Sequence, residues 1–429
     1  MKRDAPDPGA ADRSADDLPP RGSWRLIVDR QFGVLFWGKL VSGLGVWIHG
    51  IVAAIVVYAA TGSALWVGLV SVAQFVPQLI FAPLSGKLAD RGNLAHQLIL
   101  GRALTMVGSG SLAAWCWVVG EPQGYGDAVA ILIGSFVAGL GFVVGGPAQQ
   151  SIIPLLIRPG ELGTAMGLNS LPMTLARVVG PAAGAFIAAR FGAAEAFTLA
   201  AATHLLFMVM LILTALPPGV PHDEDADYSV RSALRHVWRD RTLLLLLLVV
   251  TAAGFASEPS MTLVPTFADE LGGSTQLVGQ LTGAFGLGAA LGYAVYVRVT
   301  RRLSQQRTAQ AGLVLLAAGT AALALAGHPA VALVLFGVVG GGFMVALTAA
   351  TTLIQERVPP SLRGRVMALW FMGFIGSRPL AAALDGWLAD TFSLAVALLV
   401  TAGLLTLLLL VFRPGRLDFS PAARQGFQN

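Results

Sequence analysis

Hydrophobic runs of about 20 residues recur along this sequence, separated by short polar loops, and few architectures can absorb such a pattern. The runs lie near 32–59, 64–84, 97–119, 127–147, 164–189 and 193–215, and again near 243–267, 275–298, 308–327, 330–354, 365–388 and 393–412. Only 12% of the 429 residues are charged and 55% are hydrophobic, whereas soluble domains carry roughly 25% charged residues. A soluble globule of this size could not hide that apolar surface, so the bilayer must act as solvent. The expected fold is all-α and polytopic, with twelve transmembrane helices in two pseudo-symmetric six-helix bundles.

The polar segments divide the chain. Residues 1–23 are polar and proline-bearing, lack the apolar core of a signal peptide, and are expected to form a disordered cytoplasmic tail. A first bundle spans 24–215 and a second spans 243–412. Between them, 216–242 reads as a cytoplasmic linker. Its acidic run His222 to Asp227 has no metal-ligand spacing and reads as solvated chain. Its later part is amphipathic: Leu234, Val237 and Trp238 share one helical face and Arg235 and Arg239 another, as in a helix lying on an anionic leaflet. Residues 413–429 form a C-terminal cytoplasmic tail.

The charge distribution fixes the expected orientation. The sequence carries a formal net charge of +5, but its basic residues, Lys87, Arg91, Arg102, Arg158, Arg302 and Arg365 among them, fall on alternate loops. The opposite loops hold Arg190 and otherwise acids such as Glu121, Asp127, Glu195, Asp269, Glu270 and Asp390. That asymmetry places both termini in the cytoplasm of a bacterial-type inner membrane and argues against a nucleic-acid footprint. The lone Cys116 excludes an intramolecular disulfide.

The two halves repeat one another. Arg158-Pro-Gly-Glu-Leu-Gly opens the fifth run and Val358-Pro-Pro-Ser-Leu-Arg-Gly opens the eleventh, each preceded by glutamine: Gln149 or Gln150 in one case, Gln355 in the other. Gly180-Pro181 aligns with Arg378-Pro379 after a two-residue gap. A duplicated six-helix unit puts the substrate near the midplane, between the halves.

At these residues the chain resembles the major facilitator superfamily, whose signature G-x-L-A-D-R is matched by Gly86 to Arg91. Thr61-Gly-Ser-Ala, Leu168-Asn-Ser, Arg177-Val-Val-Gly-Pro181 and Gln355-Glu-Arg-Val-Pro with Arg363-Gly364-Arg365 resemble its drug and siderophore exporter branch, which includes enterobactin and macrolide exporters. The resemblance implies that Asp90 faces the start of the eleventh helix and helps lock the outward-open state, where it can pair with Arg363 or Arg365. After Arg91 the family's further arginines are replaced by Gly92 to His96, which implies a weaker latch. Gly180, Pro181 and Gly184 resemble the antiporter motif of the fifth helix; small residues four apart also permit ordinary close packing.

An ionisable group near the bilayer centre costs about 2.5–3.5 kcal/mol, so each needs a reason. Glu258, beside Pro259 in the seventh run, is the leading proton carrier, because a carboxyl withdrawn from water can load and release a proton as access alternates. The plainer reading is a permanent Glu258–arginine pair that ties the halves together. Arg177 matches an arginine of the exporter branch. Arg378 shares a helix face with Asp385 and is expected to pair with it, or else to face the cavity and favour acidic amphiphiles. A free imidazole titrates near neutrality, so His49 in the first run is a second coupling candidate. His204 reads as packed, and Lys39 as able to snorkel. Trp47, Gln74, Gln78, Asn169 and Tyr293 are expected to line the cavity.

No phosphate-binding loop, zinc-protease motif, nucleophile elbow or paired Cys-x-x-Cys occurs, so neither an ATPase nor a membrane enzyme is expected, and no cofactor or metal. The expectation is a monomeric secondary transporter that exchanges protons for a small amphipathic compound. The alternatives are an importer on the same fold and a non-transporting sensor.

Overall fold

The computed structural model describes residues 20–91, 93–214, 216–217, 230–358 and 360–412. The described chain is helical, without strands among these residues. Its long helices are α1 (Phe32–Thr61), α2 (Ala64–Arg91), α3 (Leu94–Val119), α4 (Gly124–Ser151), α5 (Leu162–Phe191) and α6 (Ala193–Ile212). In the second half they are α7 (Arg241–Ala256), α8 (Thr275–Val299), α9 (Gln305–Leu323), α10 (Pro329–Arg357), α11 (Pro360–Thr391) and α12 (Leu394–Val411). Each expected run thus finds its helix. Eleven of these segments are long and apolar enough to cross a membrane. The remaining one, α9, opens on Gln305, Gln306 and Arg307, which shortens its apolar stretch.

Local signals set the ends. Asn93 accepts from the His96 amide (3.1 Å) to start α3, and Ser393 accepts from Val396 (3.2 Å) to start α12. Gly62 turns the chain between α1 and α2 at φ +66°, a conformation that side-chain-bearing residues avoid. The seventh segment departs from the expected unbroken helix. It ends at Ala256, passes through Ser257 and Glu258, and resumes as short turns Pro259–Thr262 and Val264–Glu270. Pro259 and Pro265 have no amide hydrogen to continue the ladder, which is the physical cause of the break.

Packing repeats every six helices. In the first half α1 lies on α5 and α6, α2 on α4, and α3 on α4 and α6. In the second, α7 lies on α11 and α12, α8 on α10, and α9 on α10 and α12. Two pairs of long helices join the halves, α2 with α11 and α5 with α8, and the short turns after α7 add contacts to α1 and α2. An even number of crossings puts the start of α1 and the end of α12 on one side, called here the terminal side.

The halves meet on the far side. Asp390, near the end of α11, accepts from the Ser63 hydroxyl and from the amides of Ala64 (2.8 Å) and Leu65 (3.1 Å) that open α2. Tyr58 of α1 donates to Asp269 beyond α7 (3.0 Å). A Cβ on Gly68 would sit 2.3 Å from the Ala382 carbonyl, so α2 and α11 touch backbone to backbone there. Toward the terminal side Leu84 and Leu88 of α2, Met166 of α5, Leu291 and Tyr293 of α8 and Met372 of α11 are exposed. Among the described residues, the polar contacts that join the helix ends of the two halves lie on the far side.

The chain is ordered before the tail boundary expected at residue 23. Arg21 pairs with Asp29 (2.7 Å) and with Glu161 (2.8 Å), which stands just before α5. The Arg21 guanidinium and the Arg158 amide hold the Glu161 carboxyl down to about 2. Residues 1–19, 218–229 and 413–429, the rest of the expected tails and linker, lie outside the described residues. The expected amphipathic helix is present as Val230–Arg239, with Val237 buried and Leu234 and Trp238 exposed.

Candidate functional site

The break in α7 presents Glu258 to the centre of the molecule. Its side chain is fully buried, and both carboxylate oxygens are engaged. Oε2 accepts from Arg378 Nε of α11 at 2.6 Å; Oε1 accepts from Ser71 of α2 at 2.6 Å and from Thr262 at 3.2 Å. Arg378 is 3% exposed, so this is a sealed ion pair. Removing one partner of such a pair costs about 3–5 kcal/mol, because the other charge is stranded.

Arg177 of α5 approaches from the other half and donates to Ser257 Oγ at 3.3 Å. No carboxylate lies within ion-pair distance of it among the described residues. Its guanidinium lies over Phe343 (4.4 Å), Trp47 (5.3 Å) and Phe374 (5.8 Å), while that of Arg378 lies over Phe75 (4.5 Å) and Trp47 (5.5 Å). Aromatic faces are negative at their centres, so this box partly replaces the water that two cations have lost. The Trp47 indole N–H is buried without a partner.

The structure revises two expectations. Arg378 pairs with Glu258 rather than with Asp385, whose Oδ1 instead accepts from Thr401 of α12 at 3.0 Å. The Glu258–Arg378 pair joins α7 to α11 within one half, so it does not itself tie the halves. The hydrogen bonds of Ser71 and of Arg177 to Ser257 do that.

The other candidates fall around this centre. His49 is buried between Ser109 (Nδ1, 3.0 Å) and Ser135 (Nε2, 3.1 Å), with both ring nitrogens satisfied inside the first bundle. It shares a small pocket with Gln74, Phe75 and Gln78, and Phe75 connects that pocket to Arg378. Asn169 stands apart: its carbonyl and Oδ1 accept from Lys39 at 2.8 and 2.9 Å, and its amide donates to Gln150. Tyr293 is exposed and stacks on Tyr296. Gly180 and Gly184 press α5 against α1; a Cβ on Gly180 would meet Trp47 Cβ at 2.6 Å, so this stretch supports the indole of the box. Pro181, next in the same helix, is buried. Gln355 is exposed at the end of α10 and Arg365 is half-buried near the start of α11. Gly86, Asp90 and Arg91 belong to the end of α2, and Arg363 and Gly364 to the start of α11; their side chains lie outside the described residues.

Several residues gave no signal in sequence. Ser71, Ser257 and Thr262 are ordinary hydroxyls until the α7 break gathers them. Arg102 counted as a loop residue yet is buried in α3, donating to Ser42 (2.5 Å) and Gln149 (3.3 Å) over the Phe207 ring (5.3 Å). Its place nine residues after the Asn93 cap was the available clue.

Comparison with known proteins decides the family. The profile of a family described as transmembrane secretion effector matches residues 21–424. The chain belongs to this family. Within the same major facilitator group, the multidrug efflux pump Tap of Mycolicibacterium fortuitum is 24% identical over 372 residues, covering 84% of this chain and 90% of the pump. The enterobactin exporter EntS of Shigella boydii is 25% identical over 396 residues, covering 89% of this chain and 92% of the exporter. A bacterial homologue of the human lysosomal transporter Spinster, solved inward-facing and unoccupied, superposes with a TM-score of 0.71 at 15% identity, covering 90% of this chain and 96% of that one. An inward-facing bacterial homologue of ferroportin gives 0.69 at 14% identity, covering 89% and 97%. The secretion effector described here is therefore a multi-pass membrane transporter of the major facilitator fold, not an enzyme.

Proposed function

We propose that this secretion effector exports small amphipathic compounds by alternating access, drawing on protons through Glu258. The supporting observation is the sealed Glu258–Arg378 pair at a helix break, hydrogen-bonded across the interface by Ser71. A proton on Glu258 removes the charge that holds Arg378, so the protonation state of one residue governs contacts among α2, α7 and α11. The elements that part when access switches are thereby linked to the proton gradient. The named efflux relatives support the outward direction.

In this reading both termini are cytoplasmic, following the one-sided basic loops, and the molecule is parted on the cytoplasmic side. The helix Val230–Arg239 rests on the inner leaflet, with Trp238 and Leu234 toward lipid. Asp90 latches onto the start of α11 when the molecule opens outward. The transporter works as a monomer, and His49 is a structural residue of the first bundle rather than a second coupling group.

The test uses energised inverted vesicles with a pH-sensitive dye and a broad compound panel. Compounds that are substrates release protons, and Glu258→Gln abolishes the release. Proton release that persists unchanged in Glu258→Gln removes Glu258 from coupling; silence across the panel removes proton-driven export.

A further inference from the structure

The central box contains an imbalance that proton coupling does not use. Arg378 is answered by Glu258, but among the described residues Arg177 has the Ser257 hydroxyl and aromatic rings and no ion pair, so the described cluster of two guanidiniums and one carboxylate is net positive. Two donors of the box are left short of a charge or a partner: Arg177, which has a hydroxyl but no ion pair, and the buried Trp47 N–H, which has no hydrogen-bond partner among the described residues. The carboxylate of the box is spoken for, since Glu258 already takes bonds from Arg378, Ser71 and Thr262. A cationic ligand would have to break that pair to find a counter-charge; an anion would not.

From this we infer that the substrate of the central site is a planar aromatic monoanion, its carboxylate held by Arg177 and its ring by the aromatic box. The inference rests on the transport reading above and specifies its substrate class. Arg177 is half-buried while Glu258 and Arg378 are sealed, so Arg177 is the charged group of the cluster that a ligand can reach. A carboxylate can accept two parallel N–H bonds from one guanidinium. A second acceptor on the ligand satisfies the Trp47 N–H, which buried polar groups ordinarily require. Phe343 and Phe374 are stacked at 6.2 Å, and Trp370 stacks on Phe374 at 5.1 Å. Phe343 and Phe374 are buried, and the partly exposed Trp370 ends the stack, a flat surface that favours a planar ring over a bulky aliphatic body.

Equilibrium binding to the purified full-length protein in lipid nanodiscs tests this with three matched probes: naphthalene-2-carboxylate, its neutral carboxamide, and 2-naphthylmethylamine. The carboxylate is expected to bind roughly ten-fold or more tightly than the other two, the factor that follows from charge-assisted hydrogen bonds. Arg177→Gln is expected to erase that preference, Arg177→Lys to keep part of it, and Trp47→Phe to weaken binding by a smaller factor. The probe ranking in the unmutated protein needs no variant to fold. Equal or tighter binding of the amide or amine overturns the inference. So does absence of carboxylate binding, or a preference that survives Arg177→Gln. The vesicle assay separates the two claims. Glu258-dependent proton release by amines but not carboxylates sinks the substrate class and leaves export standing, whereas silence for every class sinks the transport reading itself.

Discussion

Glu258 and Arg378 are costly residues that make sense only together. Each alone is expensive in the bilayer centre, and each is fully or nearly fully buried, so neither can turn to water if the other is lost. Glu258→Gln strands the Arg378 charge and is expected to destabilise the protein by about 3–5 kcal/mol, whereas Glu258→Gln with Arg378→Gln removes both charges and is expected to recover most of that loss. Thermal unfolding in detergent measures both, and equal losses in the single and double variants would show that the pair is not coupled. The double variant is expected to remain unable to release protons. The need for a reason at positions 177, 258 and 378 was legible in the sequence, because apolar runs make ionisable residues conspicuous. Which partner each one takes was not. Arg378 and Asp385 share a face seven residues apart, yet the decisive neighbour lies 120 positions away on a helix that breaks beside it.

Helices were the most readable level, since twenty-residue apolar runs leave few choices, and the sequence-derived spans agree with the observed helices to within a few residues apart from the α7 break and the polar ends by which α2 and α11 outrun their spans. Proline positions hinted at that break without fixing it, because Pro181 and Pro379 sit inside α5 and α11 without interrupting them. The glycine pairs of α8 and α10 show a further limit. Gly288/Gly292 and Gly337/Gly341 have identical spacing, but a Cβ on Gly288 would lie 1.9 Å from the Gly337 carbonyl, whereas one on Gly337 finds its nearest neighbour at 3.6 Å. Gly288→Ala is therefore expected to force the two helices apart at a cost of about 1–3 kcal/mol, as overpacking does. Gly337→Ala is expected to be close to neutral. Side-by-side melting curves decide it, and equal effects would mean that the helices adjust more freely than their backbone contact indicates. Spacing alone identifies a packing face; only the crossing geometry tells which side of it is full.

At the scale of the whole molecule, closure on the far side is carried by a carboxylate of one half at a helix N-terminus of the other. Asp390 comes one residue before the end of α11 and accepts the first amides of α2, adding its charge to the favourable end of that helix. The two helices run antiparallel along the interface, so the proposed Asp90 latch, one residue before the end of α2, is the same device at the opposite end. Access then depends on which end of the α2–α11 pair is fastened. Asp390→Asn weakens the far-side fastening, because an amide has no charge for the helix dipole and offers only one acceptor atom. A loss of about 1.4 kcal/mol shifts the ratio of the two states about ten-fold. Cysteine labelling reads the shift directly, since the native Cys116 is buried and contributes little background. With Asp390→Asn, a cysteine introduced at Ala382, sealed in the far-side contact, is expected to label faster, and one introduced at the exposed Tyr293 more slowly. Tyr58→Phe, which removes only the bond to Asp269, is expected to act in the same direction and more weakly. Faster labelling at 382 without slower labelling at 293 would mean local fraying of the far side, and no change at either position would mean that closure rests on the α2–α11 and α5–α8 backbone contacts instead.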